Sequence, residues 1–352
     1  MISREEAKNA LDSIIKKARV HLYKPIQIAE ILYRDRVFHD IDLLNLQTYR
    51  NQSKKWRDDI SEILLGTTCT SSARFQDDLF NENAMPPRIL YTLGKENCKS
   101  DGAVEAYIYK SFQTRHRQLK ESLDYCLNNK KETFELRRFL AMFWREPGLK
   151  RSIDKIYEIV VFALFSTLVN ALNLKVQISI DDDQNDLLHE FEEFAKKVMV
   201  IDFSNPIYVQ DAKIYRLGVT NASDRGLDMY ANWGPAIQVK HLTLDLELAE
   251  SIVINMNSDR IIIVCKDAEK DIILSLLKQI GWTCHIQSIV TENDLILWYD
   301  KALHGKFSDV IGDRVLAAMA LEIQKEFPST RPDVDFLRKR GYEALKDSFW
   351  LR

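Results

Sequence analysis

The chain has 352 residues, 46% of them hydrophobic and 29% charged, with a formal net charge of −3. This is the composition of a globular protein of about two domains, and it argues against a histone-like protein that coats nucleic acid. One basic cleft on an acidic body remains compatible with it. The five cysteines include no CxxC pair, so neither a disulfide framework nor a zinc ribbon is expected. A charged start without an apolar signal core predicts a cytoplasmic protein. The most apolar run, 159–169, is shorter than the roughly 20 residues that cross a bilayer. It is expected to form a buried core helix, and no membrane partner is expected.

In chain order, residues 2–20 place Ala7, Leu11, Ile14, Ile15 and Ala18 on one helical stripe. Pro25 opens a second helix over 26–33. A basic, aromatic segment with Lys54, Lys55, Trp56 and Arg57 follows. Short helices before such a segment fit a helix-turn-helix-like DNA reader, with a small bundle bearing a charged solvated face as the alternative. Residues 65–103 are irregular. From 110 to 151 the chain is basic and helical, with eleven Lys or Arg against five acids. Arg115, Arg117, Arg137 and Arg138 are the candidate phosphate contacts there, beside Lys54, Lys55 and Arg57.

Residues 174–180 alternate like a strand. A helix over 184–198 is expected to turn Leu187, Leu188, Phe191, Phe194, Ala195 and Val198 inward. Strand-like pieces follow at 207–210 and 214–219, then one at Asp228 and one at 236–240. A helix at 245–254, a buried strand at 260–265, a helix at 267–280, a strand at 285–290 and a helix from 291 complete the order. Between Asp228 and the strand 236–240, Asn232, Gly234 and Pro235 supply a turn. Gln238 and Lys240 share one strand face, while Ile237 and Val239 share the other. Folding the turn back brings a carboxylate, an amide oxygen and an ammonium together. Such oxygens suit hard Mg²⁺, and a lysine there can orient a water or stabilise charge on phosphorus. Asp211-Ala212-Lys213, with Asp202 upstream, is a rival triplet, though no helix follows it directly. Glu190, Glu192 and Glu193 are acids on the helix before these strands, Glu192 lying beside the buried stripe. His241 is expected to be a packed residue. HExxH and Gly-rich phosphate loops are absent.

Asp228, nine residues, then Gln238-Val239-Lys240 resembles the PD-(D/E)xK nuclease superfamily, with Gln in the usual acid place and Leu227 in the place of Pro. Three stretches, 24–33 (Lys24-Pro25-Ile26-Gln27 onward), 70–80 (Ser72-Ala73-Arg74-Phe75 onward) and 225–244, resemble type II restriction endonucleases of the HaeII type. The resemblance implies an α/β PD-(D/E)xK restriction-endonuclease-like core, a mixed central sheet flanked by helices, with a mostly α-helical N-terminal domain. The divisions expected are 1–173 for DNA recognition, 174–306 for catalysis and 307–352 for a helical tail. It implies Mg²⁺-dependent cleavage of double-stranded DNA at a palindrome (RGCGCY in this family) by a homodimer in a bacterial cytoplasm. A methyltransferase would act on the same site. Asp228, Gln238, the Val239 carbonyl and Glu192 would hold the metal. Asp228, Gln238 and Lys240 would be catalytic, with Lys240 beside the attacking water. A structure-specific or repair nuclease, and a non-catalytic DNA-binding regulator, stay open as alternatives.

Overall fold

The computed structural model describes residues 2–69, 72–145, 149–217, 227–240, 260–267, 271, 274–275, 286–327, 334–347 and 349–351. They fall into two compact units, 1–125 with 138–153 and 327–352, and 126–137 with 154–326. These units follow packing. The boundaries at 173/174 and 306/307 are divisions by role, taken up below.

The first unit is helical. Its helices are α1 (Arg4–Lys17), α2 (Tyr23–Phe38), α3 (Gln52–Leu65), α4 (Ala73–Phe80), α5 (Pro87–Lys99), most of α6 (Ala103–Asn128) and of α7 (Leu136–Arg145), and Val334–Lys339. A capping box starts α1: Ser3 Oγ accepts from the Glu6 N–H while the Glu6 carboxylate accepts from the Ser3 N–H. The stripe expected from periodicity, Ala7, Leu11, Ile14 and Ile15, is buried. Helix α2 is longer than expected and takes Pro25 into its first turn, where a missing N–H is tolerated. Pro25 to Leu32 are all buried, and Gln27 Nε2 donates to Ser53 Oγ at 2.8 Å and Gln76 Oε1 at 2.7 Å. A helix enclosed in this way cannot enter a DNA groove, so α2 is a core element and not half of a reader.

Two of the expected phosphate contacts are corrected by the same packing. Arg57 is fully buried and donates to the Asp58 carboxylate and to the Cys69 carbonyl at 2.8 Å. Arg115 is buried and donates to the carbonyls of Ile15, Ala18 and Arg19 at 2.8, 2.9 and 3.2 Å. It satisfies oxygens that the end of α1 leaves without helical partners. Lys55, Arg117, Arg137 and Arg138 are exposed, and Lys54 is half-buried.

The last residues of the chain belong to this unit's core. Phe336, Leu337, Tyr342 and Trp350 are buried with Leu11, Ile28 and Phe112. Arg340 reaches Glu30 at 3.0 Å and stacks 3.3 Å from the centroid of the Tyr33 ring. Glu105, fully buried, accepts from Arg36 at 2.9 Å and from Tyr342.

The second unit holds both sheets. Helix α8 (Ile153–Ala171) carries the apolar run, and Ile156, Ile159, Val160, Val161 and Leu164 are all buried, as expected of a core helix. Strands β1 (Lys175–Ser179) and β2 (Ile207–Asp211) pair antiparallel as a separate two-stranded sheet. Strands β3 (Ile214–Arg216), β4 (Met229–Ala231), β5 (Ala236–Lys240), β6 (Ile261–Cys265) and β7 (Ile286–Thr291) form a five-stranded sheet in that order. Its first three strands are antiparallel and its last three parallel, so the sheet is mixed. Thr291 and Asp294 form a capping box that starts α10 (Glu292–His304). Tyr299 on α10 donates to the Val160 carbonyl of α8 at 2.9 Å. Helix α11 (Ser308–Glu326) follows. Among the described residues no helix is long and apolar enough to cross a membrane. The helix expected at 245–254 and most of that at 267–280 lie outside the described residues.

The helix expected over 184–198 is broken. A 3-10 turn, α9 (Asn185–Glu190), the turn Glu192–Phe194 and a π turn at Ala195–Met199 replace it. Of the six residues expected to point inward, only Leu188 and Ala195 are buried. They pack with Ile201, Ile180 and Tyr208, whereas Leu187, Phe191, Phe194 and Val198 are exposed. The apolar set is wider than one stripe, and the small sheet covers only one side of it.

Arg340→Ala should destabilise the chain by about 3–5 kcal/mol, because it leaves the buried Glu30 carboxylate without its cation. Urea denaturation followed by circular dichroism reads this directly. A change below about 1 kcal/mol would show that the pair is dispensable.

Candidate active site

The site is built on the turn between β4 and β5. Gly234 takes φ 116°, and a Cβ there would meet Arg260 Nη2 at 2.7 Å, so the turn requires glycine. The Ala231 N–H donates to the Pro235 carbonyl at 2.9 Å and closes it. The register pairs Met229 with Ile237. One residue further back, Asp228 therefore stands opposite Gln238, and directly opposed residues share a sheet face. The Val239 N–H donates to the Asp228 carboxylate at 2.8 Å, which holds the acid against β5. Gln238 and Val239 are buried. Lys240 is the last residue of β5, and its main chain runs beside Cys265 of β6. Asp224, Arg225, Gly226 and His241 lie outside the described residues.

A second acid joins from α8. Glu158 is buried, and Lys155 Nζ donates to its two carboxylate oxygens at 2.7 and 2.8 Å. Burial first, and the neighbouring Asp228 charge second, push the Glu158 carboxyl up to about 7, against the pull of Lys155 and Arg216. Arg216 ends β3, and its side chain is only 6% exposed. It lies 3.6 Å from Glu158, 2.9 Å from Glu322 and 3.1 Å from Glu326, the last two on α11. The centre therefore sets Asp228 opposite Gln238, with Glu158 near enough to feel the Asp228 charge and backed by Arg216. Among the described residues no three His, Cys, Asp or Glu side chains gather as a metal cluster. The donors here are two carboxylates with amide and main-chain oxygens, a set that suits a hard divalent cation.

Other candidates fall elsewhere. Glu192 pairs with Lys196 at 3.0 Å, in the segment packed on the two-stranded sheet. Glu193 pairs with Lys197 in the same way. The acid set beside Asp228 is Glu158, which the sequence reading did not single out. Its signal was a carboxylate set immediately before the most apolar run of the chain. Asp211 is exposed and paired with Lys175 across the small sheet. The Asp211–Lys213 corner braces the turn instead. Asn232 donates to the Asp211 carbonyl at 2.9 Å and accepts from the Lys213 N–H at 2.9 Å.

A family model described as HaeII restriction endonuclease matches residues 7–342. The chain is 59% identical over 344 residues to "Type II restriction enzyme HaeII" of Haemophilus aegyptius, covering 97% of each chain. It is 54% identical over 351 residues to "Type II restriction enzyme NgoBI" of Neisseria gonorrhoeae, covering 99% of each. No solved structure matches the chain.

Glu158 yields a pH test. Its carboxyl binds a proton more tightly in the folded chain, at about 7, than at its ordinary 4.5. The stability that this proton confers is full below the ordinary value and is lost as pH rises through the folded value. Glu158→Gln stays neutral throughout. Between pH 5 and pH 8 the wild type should lose on the order of 2 kcal/mol in urea stability relative to Glu158→Gln. Parallel stability curves would place the carboxyl in a wetter environment than the structure gives it.

Proposed function

The chain belongs to the HaeII restriction endonuclease family, and from that premise we propose how its residues cut DNA. It is a type II site-specific deoxyribonuclease, acting on phosphodiester bonds of double-stranded DNA. Membership removes the structure-specific nuclease and the non-catalytic regulator as alternatives.

One observation carries the catalytic assignment: the Asp228 carboxylate is clamped to the Val239 N–H beside a buried Glu158. Asp228, Gln238, the Val239 carbonyl and Glu158 would hold Mg²⁺, with Glu158 taking the role first given to Glu192. When bound, the ion lowers the pKa of water and offsets negative charge on phosphorus. Asp228 keeps one geometry because its hydrogen bond is to main chain. Lys240 orients the attacking water in line with the leaving 3′ oxygen, or stabilises the charge that develops on phosphorus. Arg216 positions Glu158. The mixed sheet, with Asp228 before β4 and Gln238-Val239-Lys240 on β5, supports a PD-(D/E)xK core.

The remaining assignments follow the family reading. The site cut is RGCGCY, by a homodimer that places one active centre on each strand, beside a methyltransferase that protects the same sequence. Residues 1–173 serve recognition, except that α8 lends Glu158 to the catalytic part, 174–306, while 307–352 is a tail. Lys54, Lys55, Arg117, Arg137 and Arg138 contact phosphates.

Unmethylated plasmid incubated with the protein and Mg²⁺ should give discrete fragments whose sequenced ends fall in RGCGCY. Asp228→Ala should still bind the duplex but cut at least about 100-fold more slowly. Glu158→Gln should lose activity on a similar scale, and Glu192→Gln should stay within a few-fold. The reverse order between the two glutamates would return the role to Glu192.

A second experiment sorts the arginines. Arg137→Ala with Arg138→Ala should weaken binding to every duplex and lower the salt slope by about 2. Arg115→Ala should leave that slope alone and lower the melting temperature, since its bonds go to the end of α1. A lowered slope for Arg115→Ala would restore it as a phosphate contact.

A further inference from the structure

The segment between β1 and β2 has a core of only three buried residues, Leu188, Ala195 and Ile201. A two-stranded sheet alone is marginal in water. Yet the helical stretch over that sheet carries a second apolar stripe. Leu187, Phe191, Phe194 and Val198 follow one another at intervals of four, three and four residues along α9 and the two turns after it. They and the adjoining Val200 are each between 52% and 63% exposed. Half-exposed large side chains present on the order of 100 Å² each, so the stripe offers about 500 Å² of the roughly 800 Å² per partner in a standard interface. Ile207 and Val209, exposed on β2, extend it. An apolar patch of this size on a soluble protein is often a functional surface.

The charges beside the stripe indicate the occupant. Glu190 lies towards its start and Lys197, which also pairs with Glu193 of its own chain, towards its end, both exposed. Two copies of the stripe packed antiparallel about a two-fold axis near Phe194 would set Glu190 of each against Lys197 of the other. Such a surface complements itself, as an isologous interface must. We propose that the stripe from Leu187 to Val200 is where a second copy of this chain docks, Phe194 packing near its own mate. The inference rests on the nuclease reading only in that a palindromic duplex is cut by two copies.

Sedimentation of the full chain, with and without a duplex carrying RGCGCY, tests it. The wild type should run at twice the 41.0 kDa chain mass. Phe194→Glu should raise the dimer dissociation constant at least about 30-fold, as for a central hot-spot residue. Its circular dichroism should be unchanged, because Phe194 is solvent-exposed. Glu190→Lys and Lys197→Glu should each weaken the dimer several-fold, and the two together should restore it. A Phe194→Cys chain should cross-link to itself on mild oxidation, beyond any cross-linking of the wild type. A wild type that stays at single-chain mass on DNA overturns the proposal. So does a Phe194→Glu chain that stays dimeric, or one that loses duplex affinity with no change of mass. Plasmid cleavage is scored separately. A wild type that cuts while the Phe194 variants leave its mass unchanged refutes the interface and spares the nuclease reading. A dimer that dissociates as expected but never cuts does the opposite.

Discussion

Arg216 is the constraint on which the second unit depends. A guanidinium taken out of water costs several kcal/mol unless carboxylates meet it. Here three do, from two helices. The arrangement fixes the end of β3 against α8 and α11. Strand β3 then sets β4 through Ile214–Ala231 and Arg216–Met229 pairing. Strand β4 in turn sets Asp228 against β5. A displacement of Arg216 is thus transmitted, bond by bond, to the acid at the centre.

The same cluster explains the electrostatics of the centre. Around Arg216 stand Glu158, Glu322 and Glu326, with Asp228 beyond Glu158, while Lys155 and Lys325 pair with Glu158 and Glu322. Carboxylates gathered in a poorly hydrated region repel one another, and a proton on Glu158 is one form of relief. On the proposed reading a divalent cation gives the same relief more strongly, which would couple ion binding to proton release.

The motif was legible because its parts are local. A turn residue, a period of two and a pair of buried neighbours are enough to set Asp228 opposite Gln238. The core helix α8 was legible for the same reason, whereas the mixed sheet was expected from the family resemblance. Glu158 was not, because it lies 70 positions from Asp228 and reaches it only through the packing of α8, which periodicity cannot supply. Arg57 and Arg115 misled in the opposite direction. An arginine has one signature in sequence whether its five donors meet phosphate, a carboxylate or the carbonyls at a helix end. The stretch 184–198 carries apolar residues on two adjacent stripes. Pattern alone cannot say which one a two-stranded sheet will cover, so four of six expected core positions lie in solvent. The role of Lys240 rests on its place in β5 and on family resemblance.

The weaving of the chain has a consequence for its biosynthesis. The helical unit begins with α1 but closes only when Phe336, Tyr342 and Trp350 enter its core and Arg340 meets Glu30. Everything that builds the centre, from Glu158 to Glu326, leaves the ribosome before that closure. The first helices must therefore wait, partly unsatisfied, for the last residues to be made. A nascent chain broken off before residue 336 would hold every residue from Glu158 to Glu326 and lack those that close the helical unit. Completion of the helical unit thus requires residues 336–350 to have been made.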